Sequence, residues 1–138
     1  MSIAALVLWL VTAGGGFYLL VRWLARGGVR QAGVTRLSPP LIFGHFLLAA
    51  LGLVVWIAYL VLDNDTLGWV ALGVLVAVAL LGFTMFFRWL PTYRSRTQLI
   101  EAVPAERSFP IPVVLAHGAL AATTIVVVLL ANLGVGGS

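Results

Sequence analysis

The chain has 138 residues, of which 62% are hydrophobic and 9% charged, too apolar a mixture to cover a water-soluble monomer with polar groups, so it reads as an integral membrane protein. Its formal charge of +4 comes from eight arginines against four acids, with no lysine. That basic balance belongs to loops, which excludes a nucleic-acid-binding face. Cysteine is absent, so disulfides, thiolate metal sites and thiol catalysis are excluded as well.

The first predicted span covers about residues 3–24, an apolar run with no positive residue before it, unlike the charged start and short apolar stretch of a secretory signal. Gly14, Gly15 and Gly16 interrupt it. A membrane helix tolerates such a break where a neighbouring helix or a flat ligand packs closely. Arg22-Trp23-Leu24 closes the run as an expected interfacial anchor, with Trp at headgroup level and Arg reaching water. Residues 25–37 form a loop with Arg26, Arg30 and Arg36.

Ser38 and Pro39 supply an N-cap and first helical turn for a second span, about residues 39–62. The acidic turn Asp63-Asn64-Asp65 makes the second and third spans antiparallel neighbours, with Asp65 or Thr66 capping a third span of about residues 66–90. Residues 91–109 form the second Arg-bearing loop, with Arg94, Arg96 and Arg107 beside Glu101 and Glu106. A fourth span covers about residues 110–133, followed by a Gly-rich tail. Each run is long enough to cross about 30 Å of hydrocarbon. Because all eight arginines lie at the ends of spans one and three or in the loops after them, these loops are expected in the cytoplasm and both termini outside. The localisation expected is therefore a multi-pass protein of the cell membrane.

The chain repeats itself. Gly16-Phe17 with Arg22-Trp23-Leu24 matches Gly82-Phe83 with Arg88-Trp89-Leu90 at an offset of 66 residues. Pro40 to His45 matches Pro112 to His117 at an offset of 72. The expected fold is an all-α, integral membrane four-helix bundle forming a single transmembrane domain over residues 1–138. It reads as two tandem helical hairpins, about residues 1–62 and 66–133, related by a pseudo-twofold axis along the membrane normal.

His45 and His117 are the only two histidines, and each sits five residues beyond its proline, about 7.5 Å along the helix. Gly16 and Gly82 lie six residues before Arg22 and Arg88, about 9 Å inside the interface, so imidazoles and glycines are expected in one layer. Ala49 with Gly52, and Ala121 with Thr124, continue a narrow face on the histidine helices. An ionisable group inside a span is by default a functional-site hypothesis. Two neutral imidazoles aimed at a bundle axis, with glycines relieving the neighbouring helices, suit a planar macrocycle with axial nitrogen ligands. Arginines nearby could pair with its anionic groups.

On Gly16, Gly82, His45, His117 and these arginines, the chain resembles in general plan the bis-histidine b-type membrane cytochromes, such as succinate dehydrogenase anchors and cytochrome b561 proteins. The resemblance implies haem b held by His45 and His117, with Gly16, Gly82, Arg22, Arg36 and Arg88 around it. It also implies electron transfer, or service as a haem-bearing subunit of a membrane redox complex, with quinone as a candidate partner beside the lipid bilayer. A second reading is a non-catalytic anchor or stabilising subunit of a larger complex, its histidines acting as interhelical hydrogen-bond partners. Zinc or copper is disfavoured, because two histidines fill half a tetrahedral shell and no Cys, Asp or Glu lies in a span; a homodimer would supply four. The same lack of an intramembrane carboxylate argues against a proton-coupled exporter. No serine stands beside a histidine in sequence, so hydrolytic chemistry has no support.

Overall fold

Four α-helices form on the four apolar runs: α1 (Ser2–Ala25), α2 (Pro39–Leu62), α3 (Asp65–Arg94) and α4 (Ile111–Asn132), with short 3₁₀ turns at Gly28–Arg30 and Ala105–Ser108. The computed structural model describes residues 1–94 and 103–136. All four helices are long and apolar enough to cross a membrane.

Local chemistry sets the helix ends. Gly27 adopts a left-handed φ of 77° just beyond α1 and turns the chain into the first 3₁₀ element, a conformation that glycine enters without steric cost. Pro39 and Pro40 occupy the first positions of α2, where a missing N–H costs nothing. Ser38 sits at the N-cap position but makes no side-chain capping bond. The cap of α3 is Asn64, whose Oδ1 accepts the Thr66 N–H at 3.0 Å, and not Asp65 or Thr66 as expected. Asp63 ends α2 with φ 49°, its N–H bonded to the Tyr59 carbonyl.

One boundary differs by a full turn: α3 continues through Pro91 to Arg94 instead of stopping at residue 90. Proline removes one helical hydrogen bond and crowds the preceding turn, yet the turn is held from outside. Trp89 stacks on Tyr93 with ring centroids 5.3 Å apart, its indole N–H donates to the Glu106 carbonyl at 3.0 Å, and Thr92 is buried.

Helix α2 packs most extensively against α3, and α1 against α4, while contacts between these two pairs are sparser. Each intimate pair thus joins a helix of the first repeat to one of the second. Ala5, Trp9, Trp56, Ala71, Leu75, Val128 and Ala131 form one apolar cluster. At the other end Trp23, Leu37, Ile42 and Ala105 form a second. The Arg-Trp-Leu tryptophans are therefore not exposed anchors, since both Trp23 and Trp89 are buried. Trp23 lies beneath Gly28 and edge-on to Phe43. Outward faces are apolar along much of the bundle, with Leu47 at 63%, Leu80 at 64% and Phe87 at 65% exposure.

The two Arg-bearing connections meet at one end. Gln31 Nε2 donates to the Val103 carbonyl at 3.1 Å, and Gln31 Oε1 accepts the Ala105 N–H at 2.8 Å. Glu106 is fully buried there, accepting the Thr35 hydroxyl at 2.8 Å and the Arg36 N–H at 2.7 Å. At the opposite end Asn132 donates to the Gly68 carbonyl at 2.9 Å, and the Trp56 indole donates to the Ser2 carbonyl at 3.3 Å.

Candidate functional site

His45 on α2 and His117 on α4 approach one another between the two apolar clusters, with ring centroids 6.3 Å apart and planes inclined at 70°. Each ring is anchored to the helix with which its own helix packs most closely. His45 Nδ1 lies 3.0 Å from the Val78 carbonyl of α3, and His117 Nδ1 lies 2.9 Å from the Thr12 carbonyl of α1. A carbonyl only accepts, so in both rings Nδ1 carries the proton and Nε2 of the neutral imidazole keeps a free lone pair.

The glycines explain why these carbonyls are reachable. In an α-helix the Thr12 carbonyl receives the N–H of residue 16, and the Val78 carbonyl that of residue 82. A side chain four residues on leans back over that carbonyl and shields its second lone pair. Gly16 and Gly82 have none, and the imidazoles take the space: a Cβ at Gly16 would lie 2.8 Å from His117 Cε1, and one at Gly82 would lie 3.3 Å from His45 Cε1. The glycines thus seat the imidazoles themselves, where sequence reasoning reserved their space for a macrocycle edge. A Cβ placed at Gly15 would meet His117 only at ordinary van der Waals distance, 3.7 Å from Nδ1.

Thr12 and Thr124 extend the layer. Both are buried, their hydroxyl oxygens are 3.2 Å apart, and each hydroxyl can also donate to its own helix, to the Leu8 and Leu120 carbonyls at 2.8 Å. Gly52, on the α2 face expected to be narrow, faces Trp9 and Val74, each 3.0 Å from a Cβ placed there.

The arginines do not join this layer. Arg22 Nη1 donates to the Tyr18 hydroxyl at 3.2 Å, and its guanidinium sits 5.9 Å from the Tyr18 ring centroid. Arg36 is exposed and contributes its backbone N–H to Glu106. Arg88 is exposed on α3. Among the described residues no hydrogen bond or cation–π contact links any of the three to the histidines. No group of three or more His, Cys, Asp or Glu side chains among the described residues forms a metal-binding cluster, so the donor set is the two imidazoles.

Sequence reasoning missed Thr12, Val78 and the buried Glu106. The first two carried a signal: each stands four residues before a repeat-matched glycine, at the same offset of 66 residues. Comparison of the chain with protein families, curated proteins and solved structures finds no match.

Proposed function

We propose that this chain is a small multi-pass membrane protein that holds one haem b between His45 and His117 and works in electron transfer or as a haem-bearing subunit of a membrane redox complex. The observation that carries this reading is the meeting of two imidazoles from different helix pairs, each with Nδ1–H on a backbone carbonyl and Nε2 left as a ligand. His45 and His117, with ring centroids 6.3 Å apart, would be the residues that hold the haem. A bound haem would supply one-electron chemistry at a potential set by its axial ligands and surroundings.

The chain's own residues supply orientation and exclusion of water. The Val78 and Thr12 carbonyls fix each ring and raise its basicity, as outer-shell acceptors do for ligating histidines. Gly16 and Gly82 let both imidazoles sit against the helix backbones. The flanking apolar clusters keep water from the layer. The exposed apolar faces favour insertion in a bilayer, and the gathering of the Arg-bearing connections at one end favours that end facing the cytoplasm, with both termini outside. The matched carbonyl, glycine and histidine positions support a pseudo-twofold relation between the two repeats.

The test is the pigment. Protein from haem-replete cells should show a Soret band, a low-spin reduced spectrum and about one haem per chain, and H45L or H117L should change the spin state or lose the pigment. Colourless wild-type protein would overturn the assignment. The interhelical hydrogen bonds favour a second reading, a cofactor-free anchor whose histidines clasp helices. In that case H45L and H117L would lower thermal stability with no spectral change to accompany it.

A further inference from the structure

A second polar feature lies at the end of the bundle that carries the arginines. A cavity of about 430 Å³ opens between the last turns of α1 and the 3₁₀ turn Ala105–Ser108, lined by Arg22, Arg26, Arg107, Pro104 and Ser108 among others. The volume is within the range of small-ligand sites. Three guanidinium-bearing residues border it, and among the described residues none of them pairs with a carboxylate. Glu106, the acid within that 3₁₀ turn, does not line the cavity; its oxygens are taken by Thr35 and the Arg36 amide. The Ser108 hydroxyl is likewise committed, donating to the Ala105 carbonyl at 2.8 Å. Arg22 Nε is buried and has no hydrogen-bond partner among the described residues, an unmet demand that an anionic acceptor would satisfy.

We propose that this cavity binds a phosphate-ester anion. Planar guanidinium groups match the oxygens of phosphate with paired N–H donors, and basic pockets between membrane helices on the cytoplasmic side recognise anionic headgroups. The same chemistry is offered by a phospholipid headgroup at the membrane surface and by free phosphate. The site is independent of the histidine pair, and only its lipid form rests on the reading of the bundle as membrane-spanning.

Full-length protein is placed in nanodiscs of phosphatidylcholine doped with phosphatidylglycerol, and the lipid retained on release is counted by native mass spectrometry. A parallel arm titrates delipidated protein in detergent with inorganic phosphate by calorimetry. Wild type should retain phosphatidylglycerol over phosphatidylcholine by roughly tenfold, and the R26Q/R107Q double variant should lose that preference while R30Q, altered outside the cavity, keeps it. Arg26 is exposed, so R26Q alone, checked by size-exclusion chromatography, gives a reading should the double variant misfold, and it should lose part of the preference. Phosphate binding lost in the same variants, without lipid preference, identifies the source as soluble phosphate and supports the site. Equal retention of both lipids together with no phosphate binding by wild type overturns it, as does binding that R26Q/R107Q leaves unchanged. Haem content measured on the same preparations reports the histidine site separately.

Discussion

Gly16→Ala tests whether the glycine is there to admit an imidazole. Its Cβ would lie 2.8 Å from His117 Cε1 and 3.4 Å from Nδ1, whereas the Cβ of Gly82→Ala would lie 3.3 Å from His45 Cε1. An ordinary carbon–carbon separation of about 3.6 Å requires the His117 ring to retreat by roughly 0.8 Å, against roughly 0.3 Å for His45. A retreat of that size stretches the 2.9 Å bond to the Thr12 carbonyl to the edge of hydrogen-bonding range. The loss is about 1 kcal/mol for the bond, with overpacking adding about 1–3 kcal/mol. Alanine's better helix propensity returns about 0.5–1 kcal/mol. Gly16→Ala should therefore destabilise by about 1–3 kcal/mol and Gly82→Ala by less than about 1 kcal/mol. Gly14→Ala and Gly44→Ala, whose Cβ atoms would meet nothing within 4 Å, serve as controls and should be neutral or slightly stabilising. Thermal unfolding in detergent, followed by circular dichroism with haem content read alongside, gives the ranking. Gly16→Ala as stable as Gly14→Ala would refute the reasoning, whether or not the protein carries pigment.

Two further predictions concern the end of the bundle where the connections meet, and a third the orientation of the bundle. Glu106→Ala strips the acceptors from Thr35 and the Arg36 amide and should cost about 2–4 kcal/mol, with Glu106→Gln losing less because one carbonyl oxygen remains; thermal midpoints of the two variants check the order. Trp89→Phe keeps the stacking surface but leaves the Glu106 carbonyl without its indole donor, so a loss of about 1 kcal/mol is expected in the same measurement. Single cysteines at Ser2 and Ser138 should react with a membrane-impermeant maleimide in intact cells and one at Arg30 should not. Labelling at Arg30 from outside would reverse the proposed orientation.

The helices were legible because their signal is local. Runs of apolar residues interrupted by arginine, proline and an acidic turn mark four segments, and the segments lie within a few residues of where they were expected except at Pro91. That exception has a tertiary cause: the turn beyond proline is held by Trp89 on Glu106 and Tyr93, and Glu106 comes from 17 residues further along the chain. The buried state of Trp23 and Trp89 was illegible for the same reason, since what covers them includes residues far along the chain, Phe43 and Ala105 over Trp23 and Glu106 over Trp89.

By itself the sequence determined that the chain makes four apolar helices, that its arginines gather at the ends of the first and third of them and in the connections that follow, and that two histidines and two glycines recur at matched positions. These follow from composition and spacing, which act within a helix and need no partner. Tertiary structure alone decided which helices pair, because contacts between helices depend on side-chain fit along whole faces. Pairing of α2 with α3 and of α1 with α4 brings His45 to the Val78 carbonyl and His117 to the Thr12 carbonyl. That pairing turns two recurring residues into one layer, with both Nδ1 atoms bonded to backbone carbonyls, and it leaves Arg22, Arg36 and Arg88 outside.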